Sequence, residues 1–274
     1  MNLLNPKLRV IDLSPKTLSL LRPLSAPLTY MGQWIRGRRV PIYAFFDHSC
    51  RTILYPYRFS VTTCQDWRGG QLTYDKHWGV DLIVPIGTAV VAAAYGMVTA
   101  VGTDPVGGPY VWIDHGGGYA TTYHHLSQAL VHTGQKVERG ELIAKSGAEG
   151  LAIQGFFPMV PPHLHFALLI DGVPIDPFRG WDSPGYWADE RDPSPYDGES
   201  MLDLDLPYDW IDKKDLLSGF EQDALLKNNF FDLLKLIAPD RLSFGGDCWN
   251  LGDRPRLLLS LPFRREDVSG IVYP

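Results

Sequence analysis

His77-Trp78-Gly79-Val80-Asp81 opens, and His163-Leu164-His165 closes, the stretch on which the reading of this chain turns, with Tyr123-His124-His125-Leu126 between them. In an extended strand, side chains two positions apart share a face, so His163 and His165 can look into one groove as a pair of imidazoles. In the opening motif Gly79 stands between a histidine and a carboxylate four residues apart, and a glycine lets the backbone bend so that the two converge. One histidine, one aspartate and one further histidine make three ligands with a fourth position open, the catalytic rather than the structural zinc pattern.

Turn signals crowd the sequence around these motifs. Pro85-Ile86-Gly87, Tyr95-Gly96, Gly107-Gly108-Pro109, His115 to Gly118, Thr133-Gly134, Arg139-Gly140 and Asp171-Gly172 recur at short intervals, and no helical periodicity intervenes. Short strands at such spacing predict an all-β domain. Leu82 to Thr103 runs 22 positions without a charge, which by length alone nominates a membrane span. Pro85, Gly87, Gly96 and Gly102 interrupt it, and its Val-rich segments flank Gly96, so two strands joined by a turn are expected and no span is.

Outside this region the texture changes. Residues 1–70 hold short apolar segments, Leu8 to Leu13 and Pro41 to Phe46, broken by Pro, Gly and Arg, and are expected to pack on the core as strands and loops. Asp66 to Gly70 reads as a turn. Residues 71–180 form the central domain, and 181–274 a C-terminal extension that begins with a Pro/Asp/Ser/Gly-rich loop over Asp182 to Gly198. Asp215 to Ile237 carries Leu216, Leu217, Phe220, Leu225, Phe230, Leu233, Leu234 and Ile237 near helical spacing with Pro239 beyond, so a helix is expected near 215–238. Leu257 to Leu261 is apolar enough for a further strand.

Composition sets outer bounds. The chain has 274 residues, 45% of them hydrophobic and 12% aromatic, enough for a sizeable core and unlike a disordered chain. A formal charge of -6 argues against a general nucleic-acid binder. Cys50, Cys64 and Cys248 are too few and scattered for a disulfide framework or a cysteine-rich zinc site. Met1 to Leu20 lacks the continuous apolar core of a secretory signal.

The ordered set His77-x-Gly-x-Asp81, Pro85-x-Gly87-Thr88, the Gly96 turn, His115-Gly116-x-Gly118-Tyr119, Tyr123-x-His125-Leu126-Ser127, Val131-x-x-Gly134-x-x-Val137-x-x-Gly140 and His163-Leu164-His165-Phe166 resembles the lysostaphin/LytM-type zinc metallopeptidases, peptidase family M23. The resemblance implies a mainly β fold, an antiparallel sheet shaped like a barrel-sandwich whose groove holds Zn2+ and cleaves peptide crosslinks or stem peptides of bacterial peptidoglycan. It implies His77, Asp81 and His165 as zinc ligands, and His163 and His125 as the two histidines that line the groove and handle protons. Trp78 and Tyr123 are candidate substrate contacts. His124 would point to the face opposite His125 in a continuous strand and so stands outside the site. His48, His115 and His132 read as ordinary histidines.

The approach to the last motif, Gly147 to Pro162, departs from the family's short Gly/Ser/Thr-rich link: it is long and carries Ile153, Phe156, Phe157, Met159 and Val160. Ala167 follows Phe166 where many members place Glu. Two further readings stay open. A zinc-bound adaptor could recognise cell-wall peptide without cutting it, and the turn pattern from Val131 to Gly147 is similar to a biotinyl or lipoyl carrier, though neither Lys136 nor Lys145 sits in the turn such a carrier uses. The expected partner is peptidoglycan peptide, and action on it would be periplasmic or extracellular.

Overall fold

β10 (His163–Ile170) is buried at every one of its eight positions, because both of its faces are covered by protein, as a strand at the centre of a sheet requires. Its even-numbered side chains Leu164, Phe166, Leu168 and Ile170 all enter the main hydrophobic core, each contributing about 1.5–3 kcal/mol through removal from water. Its odd-numbered side chains, His163, His165, Ala167 and Leu169, take the other face.

The computed structural model describes residues 26–48, 64–74, 77–178, 185–190, 192–198 and 256–273. Before the sheet lies a short helix, α1 (Ala26–Tyr30). The strands follow as β1 (Arg39–Ala44), β2 (Val80–Ile83), β3 (Ala89–Val91), β4 (Gly96–Asp104), β5 (Gly108–Gly116), β6 (Tyr119–His124), β7 (Leu126–Ala129), β8 (Lys136–Val137) and β9 (Leu142–Ser146). A one-turn helix α2 (Leu151–Gln154) precedes β10, with β11 (Val173–Ile175) and β12 (Gly270–Val272) after it. Among the described residues the main sheet runs β12-β1-β2-β10-β6-β5-β4-β8 with β11 also paired to β10, and a second sheet runs β3-β9-β7. Among the described residues every pairing between these strands is antiparallel except β1 with β12. The fold is thus mainly β, with antiparallel sheets that form no closed barrel.

Both extensions enter the main sheet. β1 pairs β2 on the N-terminal side, and β12 joins β1 in register Arg39 to Gly270. The expected strand over Leu257 to Leu261 is replaced by isolated bridges, Leu259 to Trp187, Leu261 to Pro195 and Phe263 to Val90. Pro195 and Pro262 supply no N–H to extend a ladder there. Arg139 instead fastens this segment: its Nη1 donates to the Ala93 carbonyl at 2.6 Å and to Ser260 Oγ at 3.1 Å, and its Nη2 donates to the Leu258 carbonyl at 2.8 Å. The segment from Leu82 to Thr103 forms strands and turns, and among the described residues no helix is long and apolar enough to cross a membrane. The expected helix near 215–238, the Leu8 to Leu13 segment, Cys50 and Cys248 lie outside the described residues.

Candidate metal centre

Strand register builds the site. His165 of β10 pairs Asp81 of β2 on one side and His124 of β6 on the other, and cross-strand partners share a face. The three side chains therefore gather on the face of β10 opposite the core. His77 enters from the turn before β2. Its Nε2 lies 3.0 Å from Asp81 Oδ1 and 3.1 Å from His165 Nδ1, and His165 Nδ1 lies 2.8 Å from the same Asp81 oxygen. Among the described residues this is the group of His, Cys, Asp and Glu side chains whose donor atoms converge closely enough to hold a metal ion.

Gly79 serves this convergence, for a different reason than flexibility. It is absent from the positive-φ glycines. What excludes a side chain is proximity: a Cβ there would stand 2.6 Å from the Phe166 carbonyl oxygen and 2.7 Å from His165 Nε2.

The protonation pattern follows from the hydrogen bonds. His77 Nδ1 is 2.6 Å from the Phe45 carbonyl oxygen, so that nitrogen carries the proton and Nε2 presents a lone pair to Asp81 and His165. Burial pushes His165 down to about 4 against the partial support of Asp81, leaving it neutral at neutral pH. Asp81 is fully buried. Burial alone would raise its pKa, but the surrounding His77, His163 and His165 imidazoles outweigh burial and hold it well below the ordinary carboxylate range. Its ion-pair partners among the described residues are the imidazoles of His77, His163 and His165, and an uncompensated buried carboxylate costs several kcal/mol. A dication would supply the missing charge. Donor atoms on a tetrahedral zinc stand about 3.3 Å apart, slightly wider than the 2.8–3.1 Å seen here. The donor set fits such an ion.

Tyr74, which carries no motif signal, belongs to the same constellation. Its hydroxyl donates to Asp81 Oδ2 at 3.2 Å, and its ring stacks on His77 with centroids 4.3 Å apart. The carboxylate is thereby divided, Oδ1 toward the two ring nitrogens and Oδ2 toward the phenol.

His125 and His163 stand beside this cluster with ring centroids 4.9 Å apart. His125 Nδ1 donates to the Glu149 carbonyl at 2.7 Å and His163 Nδ1 to the Pro161 carbonyl at 2.8 Å, so each keeps Nε2 as its basic atom. Burial lowers both imidazoles, His125 the further, with nearby His163 and His165 adding to the effect on His125. Both are neutral at neutral pH and able to accept a proton.

The placement expected for His124 is corrected. β6 ends at His124, and His125 takes a left-handed φ of 59°, which breaks strand alternation. His124 consequently faces His165, ring centroids 5.7 Å apart, while His125 also turns to within 6.2 Å of His165. Left-handed backbone costs a non-glycine residue about 1–2 kcal/mol, offset here by the His125 N–H donating to the Gly107 carbonyl at 2.7 Å and by the bond to Glu149. The turn at 104–107 holds both histidines: Asp104 Oδ1 accepts the N–H groups of Val106 and Gly107, and Oδ2 lies 3.6 Å from His124 Nδ1.

Trp78 borders the cluster, 4.5 Å from the His165 ring and 5.4 Å from His124. Tyr123 does not. Opposite Phe166 in register, it points into the core, fully buried, with its hydroxyl bonded to the Ala93 N–H at 3.0 Å and to Thr121 Oγ1 at 3.0 Å, so it has no face toward substrate. The long Gly147 to Pro162 approach supports the site. Ile153 and Val160 are buried with Tyr43, which stacks on His163 at 5.2 Å. His48, His115 and His132 lie outside the cluster, with His48 paired to Asp176, His115 to Tyr95 and Thr121, and His132 beside Thr133.

Comparison with known proteins gives this geometry its context. The family model described as Peptidase family M23 matches residues 75–177. Over 103 residues the chain is 41% identical to peptidoglycan DD-endopeptidase ShyA of Vibrio cholerae, covering 38% of this chain and 22% of ShyA. The chain thus spans about a fifth of that relative's length. Among solved structures it is similar to a zinc containing peptidase from Vibrio cholerae, at 32% identity, 51% coverage of this chain, 38% of that one and a TM-score of 0.37. It is similar also to the catalytic domain of lysostaphin from Staphylococcus simulans, at 30% identity, 37% and 76% coverage and a TM-score of 0.33. Residues 75–177 are thus identified with the domain of peptidase family M23.

Proposed function

We propose that the chain is a zinc-dependent endopeptidase that hydrolyses peptide crosslinks or stem peptides of bacterial peptidoglycan, in the periplasm or outside the cell. In this reading residues 71–180 form the peptidase domain, with 1–70 as an N-terminal and 181–274 as a C-terminal extension. The observation that carries the reading is the fully buried Asp81 carboxylate with two imidazole nitrogens at 2.8 and 3.0 Å from one of its oxygens. His77 through Nε2, Asp81 through Oδ1 and His165 through Nδ1 would hold Zn2+, two nitrogens and one oxygen being a set that catalytic zinc accepts. Held by these residues, Zn2+ would supply Lewis-acid polarisation of the scissile carbonyl and a bound water with a pKa of about 7.

The protein's own groups account for the rest. His125 and His163, neutral through burial and each fixed by an Nδ1–H to a backbone carbonyl, present Nε2 to the reacting groups. One takes a proton from the attacking water on its Nε2 and returns it to the leaving amine, while the other lines the groove as a second neutral imidazole. Trp78, bordering the His165 and His124 rings, is the candidate substrate contact. ShyA's name supplies the substrate class, which enters here by similarity.

The test is digestion of purified peptidoglycan by the wild type and by His165→Ala, with mass analysis of the products. Crosslink or stem-peptide fragments from the wild type alone support the reading. Equal digestion by both, or none by the zinc-loaded wild type on several crosslink types, overturns it, and retained zinc and wall binding without cleavage would mark an adaptor.

A further inference from the structure

Exposed apolar side chains are concentrated on one face beside the site. Of the seven large ones among the described residues, Leu28, Met31, Ile86, Phe157 and Met159 belong together, with Met31 at 70% and Phe157 at 64% exposure. Met31 follows Tyr30, whose ring meets that of Phe157 at 5.0 Å. The Ile86 N–H faces the Thr29 carbonyl at 3.5 Å, and the Met159 N–H donates to the Phe156 carbonyl at 2.8 Å. Phe156, Tyr30 and Ile35 pack on one buried cluster. A patch this concentrated on a protein surface marks a contact site.

The charge beside it is weighted to the basic side, although Glu149 lies close enough to the Tyr30 hydroxyl to act on it. Arg36 emerges directly after Ile35, and the described stretch 26–46 contains no Asp or Glu but three basic residues, Arg36, Arg38 and Arg39, in a chain whose formal charge is -6. The Arg38 guanidinium donates to the Arg265 carbonyl, which brings Arg264 and Arg265 alongside. Only Arg39 and Arg264 have a carboxylate near, Asp192 at 3.9 Å and Glu266 at 3.6 Å among the described residues, both at exposed positions where such pairs are weak. Tyr30 and Trp34 are half-buried aromatic residues of the same segment.

We infer that this face is a peripheral docking surface for an anionic phospholipid bilayer. Apolar tips enter the headgroup boundary, aromatic rings sit at its level, and arginines meet the phosphates, an order that matches the layering of a bilayer surface. Peptidoglycan peptides, polar and partly acidic, offer nothing to the apolar tips. Tyr43 joins the same buried cluster and stacks on His163, so one layer of side chains separates the docking face from the metal centre. Adsorption would hold that centre at the boundary between membrane and wall.

The experiment is flotation of the full chain with vesicles of phosphatidylglycerol and phosphatidylcholine, against phosphatidylcholine alone, at low and high salt. Binding is expected only to the anionic vesicles, weakened by salt, and reduced roughly tenfold in both Arg36→Gln/Arg38→Gln and Met31→Ser/Phe157→Ser. Zinc content and thermal midpoint, expected to match the wild type, show that the variants are folded. Absence of flotation by the wild type, binding indifferent to lipid charge, or either variant pair floating like the wild type overturns the inference. Self-association lost in Met31→Ser/Phe157→Ser without flotation would also overturn it, assigning the face to a second copy of the chain. None of these outcomes depends on whether the chain hydrolyses peptidoglycan.

Discussion

The Tyr74 hydroxyl holds Asp81 Oδ2 at 3.2 Å while Asp81 Oδ1 faces His77 and His165. The phenol fixes which oxygen the carboxylate presents to the site. Tyr74→Phe keeps the ring stacked on His77 and removes only that hydrogen bond. Metal affinity is expected to fall 10- to 100-fold, the range for loss of a partner to a ligand, with a much smaller change in thermal stability, about 1 kcal/mol. Chelator competition measures the first and thermal unfolding of the metal-free protein the second; unchanged affinity would show that Tyr74 only fills space.

Gly79 tests the crowding under the site. A Cβ at 2.6 Å from the Phe166 carbonyl oxygen must displace backbone of a central strand, and overpacking of this kind costs about 1–3 kcal/mol. Gly79→Ala is expected to lose stability of that order and to weaken metal binding as well, because the same methyl presses on the His165 ring. A stable variant with wild-type metal affinity would contradict the close approach.

His48 and Asp176 pair at 2.6 Å, away from the metal centre. Burial lowers the His48 pKa, but the hydrogen bond and charge of Asp176, with Asp47 and Asp66, outweigh it and leave the folded value raised. The stability this pair adds is therefore fully present below the unfolded pKa of about 6.5 and disappears as pH rises through the folded value. Asp176→Asn is expected to cost about 1.5 kcal/mol at mildly acidic pH and progressively less above neutrality. Denaturant unfolding across pH measures it, and a penalty that grows with pH would refute the assignment.

Arg139 anchors the 256–263 segment through the Ala93 and Leu258 carbonyls and the Ser260 hydroxyl. Arg139→Met leaves buried acceptors unpaired, at about 1–3 kcal/mol each, so the thermal midpoint should drop by several degrees. Metal affinity should hold, since these contacts are remote from His77, Asp81 and His165. Loss of metal binding in a folded variant would tie the C-terminal segment to the site.

The sequence exposes parts of this arrangement for identifiable reasons. The alternation of His163 and His165 against Leu164 and Phe166 prescribes a strand with one face for the core and one for the histidines, and the turn residues mark where neighbouring strands reverse. Alternation also misleads once: His124 and His125 stand on the same side of the problem because His125 leaves the extended region, a change enforced by the Gly107 carbonyl and Glu149, which no local pattern announces. Tyr123, next to His124 in sequence, is core because it faces Phe166 across the ladder. Tyr74 reaches Asp81 from an irregular segment without periodicity, and β12 reaches β1 across most of the chain, a pairing set by register and not by any neighbouring residue.

Zinc bound per chain after dialysis, compared between the wild type and the separate variants His77→Ala, Asp81→Ala and His165→Ala, tests the central claim most directly. One ion per wild-type chain, lost in each of the three variants while the fold is retained, is the result predicted. A wild type that binds no zinc, or a His165→Ala chain that keeps its full complement, would contradict the account.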